Sequence, residues 1–293
     1  MIYRKKILLA LVELFGGELS ATDFQKLLFI LSQEQIDNKF EFIPYKYGCF
    51  SFQAMADKNK LINEGYLEHS NNWRATSKNT NFITALNEPD RKLLQELKNK
   101  FGNCSTAELI RHVYKNYPYF AINSEIASKY SSVEELEVID KLRPTQKNMC
   151  LFTIGYEGRS LERYLNTLIL SNIKVLCDVR KNPMSRKYGF AKRTLQNACE
   201  TVNIKYLHLP ELGIVSEKRK SLKSQADYDK LFIEYEKTVL PVEKRAVKFI
   251  HSLLLTFSRV ALTCYEALPD QCHRTRVANA VHSIEETIPL KHL

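Results

Sequence analysis

The sequence predicts two domains: a mainly α, winged-helix-like domain at residues 1–147, and an α/β domain with a mainly parallel sheet at residues 148–293. Three observations predict this arrangement. The chain of 293 residues is longer than one typical domain. Its first half carries apolar residues at helical spacing. From Met149 onward, short apolar runs alternate with amphipathic helical segments, which is typical of a parallel α/β sheet.

The first domain is predicted to begin with three helices and a hairpin. One helix covers the apolar run ILLALVELF, and the next opens at TDFQ, where Thr22 and Gln25 have the spacing of a capping box. Ser51 can cap the third helix, and Gly65 can end it. A hairpin is predicted at the Asn-Asn pair 71–72, because asparagine tolerates the positive φ of a tight turn. This order is that of a winged helix, a scaffold that commonly recognises nucleic acid.

The stretch QKLLFILSQEQ, the turn YKYGCFS and the helix end NEGYLE resemble the Panacea domains, which are phage-associated and antitoxin-like. The resemblance covers about residues 5–70 and implies an accessory module that binds DNA or a protein partner. The alternative is a small helical core in which Tyr45, Lys46 and Tyr47 are ordinary surface and packing residues.

Residues 88–130 are predicted to be helical throughout, with Pro89 in a first turn and a capping box at Ser105 and Glu108. The charged stretch SSVEELEVIDKLRPTQKN follows. After it, from Met149, short apolar runs alternate with helical segments, so residues 131–148 are predicted to form a linker.

Composition and charge narrow the classes of function. A chain with 44% apolar and 26% charged residues is typical of a soluble globular protein. Seven scattered cysteines, no 18-residue apolar run and no secretory cleavage pattern predict a cytoplasmic protein without membrane association. Residues 1–150 carry 20 Lys and Arg against 18 Asp and Glu, whereas the rest carry 23 against 15. This basic excess favours an anionic partner, such as nucleic acid or a nucleotide.

Polar residues follow each predicted strand of the second domain. Ligands of parallel α/β sheets bind outside the carboxyl ends of the strands, so these residues are predicted to form an active site. They are Tyr156, Glu157 and Arg159 after the first strand, Asp178 and Arg180 after the second, His208 and Glu211 after the third, and Tyr265 and Glu266 after the last.

The segment DVRKNPMSRKYGFAKRTL is strongly basic. From Arg180 to Arg193 it contains six Lys or Arg and no acid, with Tyr188 and Phe190 among them. Cations beside exposed aromatic rings can hold a phosphodiester backbone and stack a base. Arg180 and Arg186 are the preferred phosphate ligands, because a guanidinium can bind phosphate with two hydrogen bonds.

The motifs TIGYEGRSLE, DVRKNPMSRKYGF, YLHLPELG and LTCYEALPDQCHRTRVA resemble, in this order, those of the domain of unknown function 488 family, across about residues 150–282. The resemblance implies a small α/β domain with a role near nucleic acid or in phage conflict.

The last motif has three readings. Cys264, Cys272 and His273 could bind zinc, although their spacing differs from the paired cysteines of zinc ribbons. Alternatively, Cys264 could be a nucleophile, since IKVLCDVR and VALTCYE resemble rhodanese-type sulfurtransferases. The preferred reading makes ALPDQ a turn before a helix, whose first turn uses His273 and Arg274 to attract an anion.

These observations predict a hydrolase that acts on nucleic acid or a nucleotide, with Glu157, Asp178, Glu266 and His273 as catalytic residues. Tyr156, Arg159, Arg180, Arg186, Tyr188, His208 and Arg274 are the predicted substrate ligands. Two acids alone permit glycosidic cleavage, whereas a divalent metal held by Glu157, Asp178 and Glu266 would indicate phosphodiester cleavage. No other cofactor is expected. The alternative functions are a DNA-binding regulator whose α/β domain senses an anionic ligand, and a sulfurtransferase using Cys264.

Overall fold

The computed structural model describes residues 1–77, 81–219, 222 and 224–293. The chain divides into two compact units, Met1–Arg143 and Pro144–Leu293. None of the helices in the described ranges has the length and apolar character needed to cross a membrane.

The N-terminal unit consists of seven α-helices and four short strands within its described residues. In chain order these are α1 (Tyr3–Leu14), β1 (Glu18–Leu19), α2 (Ala21–Glu34), β2 (Ile43–Tyr45), β3 (Gly48–Phe50), α3 (Phe52–Asn63), β4 (Trp73–Arg74), α4 (Glu88–Phe101), α5 (Thr106–Asn116), α6 (Ala127–Tyr130) and α7 (Val133–Lys141), with a 3₁₀ helix at Pro118–Ala121. β1 pairs with β4, and β2 pairs with β3, both antiparallel. In the first 75 residues the three helices are followed by a hairpin in the predicted order, and a further hairpin, β2–β3, lies between α2 and α3.

Several predicted element ends are confirmed. Ser51 accepts a hydrogen bond from the Ala54 amide at the start of α3, and Gly65 follows this helix with φ +76°. A hairpin closes where Leu67 bridges Ala75, although neither asparagine of its turn has positive φ.

The predicted capping box at Thr22 and Gln25 is wrong. Ser20 caps α2 instead, because its hydroxyl accepts from the Asp23 amide. The Gln25 side chain turns inward, where its carbonyl oxygen accepts from the Ser51 amide at 2.9 Å.

The predicted linker is helical over half its length. α7 occupies Val133–Lys141 and begins with a capping box between Ser132 and Glu135. Ile139 is buried, which ties this charged helix to the N-terminal unit. Residues 131–132, before α7, and residues 142–149, between α7 and the first strand of the C-terminal unit, lack regular structure.

The C-terminal unit is an α/β fold, as predicted. Its elements are β5 (Cys150–Gly155), α8 (Leu161–Leu170), β6 (Val175–Asp178), α9 (Lys192–Glu200), β7 (Lys205–His208), α10 (Gln225–Thr238), α11 (Lys244–Phe257), β8 (Arg259–Cys264), α12 (His273–His282) and β9 (Leu290–His292), with 3₁₀ turns at Pro210–Leu212, Ser216–Arg219 and Pro269–Gln271. The strands form one parallel sheet in the order β7-β6-β8-β5-β9. Four of them were predicted, and β9 was not.

Alternation along the strands divides the core between the two faces of the sheet. Leu151, Val175, Cys177, Val260 and Leu262 form one apolar cluster with side chains of α10, α11 and α12. On the opposite face, the Tyr164 hydroxyl of α8 donates to Thr263 Oγ1 at 2.7 Å. Because β8 is covered from both sides, its carboxyl end is held firmly between those of β5 and β6.

The N-terminal unit is expected to depend on the stacking of Phe24 against Trp73, whose ring centroids lie 3.5 Å apart at 7°. Both side chains are buried, so Phe24→Ala should lower the free energy of unfolding of this unit by about 3–5 kcal/mol. Trp73 is the only tryptophan, so its fluorescence during urea unfolding measures this unit. Ile36→Ala is the control, because Ile36 is fully exposed. Equal midpoints for the two variants would contradict the prediction.

Candidate functional site

A polar cavity of about 400 Å³ lies at the carboxyl ends of β5, β6 and β8. The side chains that matter for chemistry in its lining are Tyr156, Arg180, Lys181, Arg186, Cys264 and Glu266. The helix after β5 covers one face of the sheet, through Tyr164, whereas α12, which follows β8, packs on the other. The cavity therefore lies at a switch point of the sheet, where α/β proteins bind ligands.

Close backbone contacts at two glycines bring the loops around the cavity together. A Cβ atom on Gly155, at the end of β5, would lie 1.9 Å from the Glu266 carbonyl oxygen. A Cβ atom on Gly213 would lie 2.0 Å from the Lys181 amide nitrogen. Only glycine permits these approaches, which place Glu266 and Lys181 beside their neighbouring strands.

Asp178 and Arg180 form a buried ion pair beneath the cavity. The Asp178 carboxylate accepts from Arg180 Nε at 2.8 Å, from Arg180 Nη2 at 2.5 Å and from the Tyr206 hydroxyl at 2.5 Å. Burial alone would lower the pKa of Arg180, but the hydrogen bonds and charge of Asp178 outweigh it and hold the pKa above its ordinary value. Asp178 is fully buried, so its predicted catalytic role is better replaced by a positioning role.

Arg180 also fixes the walls of the cavity. Its Nη1 donates to the Tyr156 hydroxyl at 2.8 Å and to the Phe190 carbonyl at 2.9 Å. The Tyr156 ring stacks on Phe190 with centroids 4.3 Å apart. These contacts hold the start of the β5–α8 loop against the basic segment that follows β6.

Three further predicted ligands lie outside the group that lines the cavity. His208 Nε2 donates to the Arg180 carbonyl at 2.9 Å, so this ring supports the loop after β6. Arg159 precedes α8, and its Nη1 donates to Thr167 Oγ1 in the second half of this helix at 3.3 Å. Tyr188 is exposed in the basic segment.

Glu157 and Arg274 connect backbone segments. Glu157 is exposed, and its Oε2 accepts from the Ala267 amide at 2.9 Å. Arg274 is fully buried, with Nη1 donating to the Glu266 carbonyl and Nη2 to the Ala267 carbonyl at 3.0 Å. A guanidinium in this position orients the Glu266 loop, which differs from the predicted contact with an anionic substrate.

Cys264, Glu266, Cys272 and His273 come together at the end of β8. The Cys264 thiol donates to Glu266 Oε2 at 3.3 Å, and its Sγ lies 3.6 Å from His273 Nδ1. Burial raises the pKa of the Cys272 thiol well above its ordinary value, and its hydrogen bond with Cys264 adds to the shift. Cys272 precedes α12 in an extended conformation, and His273 is the first helical residue. This change of backbone direction brings two adjacent side chains to one point.

Among the described residues, Glu157, Asp178 and Glu266 do not come close enough together to share a metal ion. One group of three satisfies the distance needed for a shared ion, and it consists of Cys264, Cys272 and His273. Asp178 is engaged by Arg180 and Tyr206 instead.

Sequence reasoning placed Tyr265 at the end of the last strand without giving it a role, and it missed Tyr206. Tyr265 lines the cavity and is exposed, directly after the last residue of β8. Its position beside Glu266 in the same motif was the available signal. Tyr206 carries no such signal, because its hydroxyl contact with Asp178 depends on the pairing of β6 with β7.

Removal of the Asp178 charge is expected to destabilise the C-terminal unit. Asp178→Asn leaves the buried Arg180 without its counter-charge and should cost about 3–5 kcal/mol of the free energy of unfolding. Tyr206→Phe, which removes one hydrogen bond, should cost about 1–2 kcal/mol. Urea unfolding followed by circular dichroism measures both, with the exposed Asp229→Asn as control. A cost for Asp178→Asn no larger than that of the control would contradict this account.

The comparisons with known proteins bear on the C-terminal unit alone. No curated protein and no solved structure matches the chain. Residues 160–281 match the model of the family described as Domain of unknown function DUF488. The match begins at the cap of α8 and ends within α12, so it includes the basic segment, Cys264, Glu266 and His273. The N-terminal resemblance to Panacea domains stays a prediction. Residues 160–281 of the C-terminal unit are thus similar to the family described as Domain of unknown function DUF488.

Proposed function

We propose that the C-terminal unit is a hydrolase that cleaves a glycosidic or phosphodiester bond in a nucleotide or nucleic acid. The observation that carries the proposal is the cavity in which Glu266 and Cys264 share one lining with Lys181 and Arg186. Action in the cytoplasm, a role in phage conflict and binding of DNA or a protein by the N-terminal unit are the finer parts of the same proposal.

The basic residues of the cavity support an anionic substrate. Lys181 and Arg186 are exposed in the lining, and Arg186 offers a guanidinium that can bind a phosphate with two hydrogen bonds. Tyr265 is 44% exposed in the same lining. Its ring offers a stacking surface for a base, so the cavity combines the two contacts that single-stranded nucleic acids require.

Glu266 is the acid best situated for proton transfer. Asp178 is buried against Arg180, and Glu157 is exposed with its Oε2 bound to a backbone amide. Glu266 is partly buried and lines the cavity, where its charge is less screened than at the surface. As a general base it would take a proton from the attacking water, and it would then give this proton to the leaving group as the bond breaks.

A cysteine mechanism is the second candidate. It is favoured by the contact between Cys264 Sγ and His273 Nδ1, a nucleophile and base 3.6 Å apart. In sulfur transfer from thiosulfate, the Cys264 thiolate would attack the outer sulfur and sulfite would leave, so that a persulfide remains on the cysteine. A mass increase of one sulfur atom after incubation with thiosulfate, absent from Cys264→Ser, would favour this candidate.

We expect Glu266→Gln to lower turnover by about 10²–10⁴-fold with the fold intact, because the amide keeps the shape and cannot accept a proton. The assay would incubate the full chain with mononucleotides, single-stranded DNA and single-stranded RNA. Chromatography separates a released base, which indicates glycosidic cleavage, from shortened strands, which indicate phosphodiester cleavage. Asp270→Asn is the matched control, since Asp270 is exposed four residues away. Full turnover in Glu266→Gln would refute the assignment, and DNA binding without turnover in the wild type would favour the regulator.

Binding of a labelled single-stranded oligonucleotide should weaken steeply as salt rises, because Lys and Arg contacts release counterions. Arg186→Ala should raise the dissociation constant by about tenfold and reduce the salt slope by about one. Arg245→Ala is the matched control, because Arg245 is an exposed arginine of α11 outside the cavity lining. Fluorescence anisotropy at several salt concentrations measures these effects. Equal affinities for the two variants would show that the cavity is not the binding site.

A further inference from the structure

We propose that Cys264, Cys272 and His273 bind a zinc ion. The three side chains are buried, and their ligand atoms all lie within 4.8 Å of one another. Two thiolates and an imidazole are ligands that zinc accepts in proteins. The site is independent of the proposed hydrolysis, because an ion can be bound there whatever reaction the cavity supports.

The separations fit a tetrahedral ion. With zinc bonds of about 2.3 Å to sulfur and about 2.05 Å to nitrogen, tetrahedral neighbours lie about 3.5 Å apart for a sulfur and a nitrogen. Cys264 Sγ and His273 Nδ1 are 3.6 Å apart. The two ligands therefore need little movement to bind one ion.

The hydrogen bond that His273 makes through Nε2 leaves its Nδ1 available to bind a metal ion. Its Nε2 lies 2.8 Å from the Val179 carbonyl, which can only accept, so Nε2 carries the hydrogen. In a neutral ring Nδ1 then presents its lone pair on the side of Cys264. A hydrogen bond from the second ring nitrogen to a backbone carbonyl is the usual support of a metal-bound histidine. The Tyr235 ring meets the imidazole edge to face at 5.8 Å and fixes its plane further.

An ion would also compensate the charges around the cluster. The Cys264 and Cys272 side chains are buried in one cluster, and the Glu266 carboxylate lies 3.3 Å from Cys264 Sγ, so two thiolates there are unfavourable without a cation. A divalent ion reverses this balance, because it stabilises the thiolates that bind it. Arg274 contributes positive charge near Cys272 as well.

Three protein ligands leave one tetrahedral position for water or substrate. Cys264 lines the cavity together with Glu266, so this position would open towards the cavity. The Glu266 carboxylate, 3.3 Å from the Cys264 sulfur, would then lie beside the ion, where it could accept a proton from a bound water.

The first experiment measures zinc in the full chain after purification with a reducing agent and dialysis. We expect about one zinc per wild-type chain by elemental analysis, and less than a tenth of this in Cys272→Ala and His273→Ala. Cys177→Ala is the matched control, since Cys177 is a buried thiol of β6 outside the cluster. Zinc that stays at the wild-type level in both ligand variants would overturn the proposal.

A second measurement avoids variants that fail to fold. Cobalt(II) added to the chelator-treated wild-type chain should give the absorption of a tetrahedral thiolate complex, and zinc should displace it at one equivalent. A folded chain that contains no zinc and gives no thiolate–cobalt band would overturn the proposal, as would a Cys264–Cys272 disulfide found by mass under reducing conditions. Neither readout requires a substrate, so failure of the zinc site and failure of the proposed hydrolysis are separate results.

Discussion

The buried pair of Asp178 and Arg180 is the interaction on which the candidate site depends. Through Tyr206, Tyr156 and the Phe190 carbonyl, it joins the ends of three strands to the basic segment. A carboxylate and a guanidinium this deep in a protein are tolerated only when their hydrogen bonds are satisfied. The pair therefore imposes one arrangement on the loops around it. The exposed cations Lys181 and Arg186 lie on the loop that this pair holds in place.

The first turn of α12 performs a comparable task on the other face of the sheet. His273 donates to the Val179 carbonyl after β6, whereas Arg274 donates to the Glu266 and Ala267 carbonyls after β8. These donors hold backbone, which is why the predicted anion site at this helix start is better understood as a clamp. In the proposed function, the exposed residues Lys181 and Arg186 would bind the anion, and the groups at the end of β8 would carry out the chemistry.

The sequence predicted the parts of the fold that rest on local chemistry. Four strands could be predicted because each is an apolar run in the sequence. The cap of α8 could be predicted because Ser160 directly precedes the helix. β9 was not predicted, because it is only three residues long and has no apolar run. Its first residue is half-buried and the other two are exposed. Sequence also grouped the acids at one edge of the sheet, but it could not tell which of them are already bonded. Asp178 and Glu266 look alike in sequence and differ only once Tyr206, from another strand, is placed.

The strand order has a consequence for synthesis on the ribosome. β8 is the middle strand, yet it is made after β5, β6 and β7, and the strands on its two sides do not pair with each other. Until Arg259–Cys264 has left the ribosome, only β6 and β7 can pair, while β5 keeps two open edges. Long-range parallel pairing of this kind is slow and leaves strand edges exposed to other chains. The nascent C-terminal unit thus passes through a stage in which its apolar strands need protection, and the cavity is completed only after β8 and the following Tyr265 and Glu266 have been synthesised.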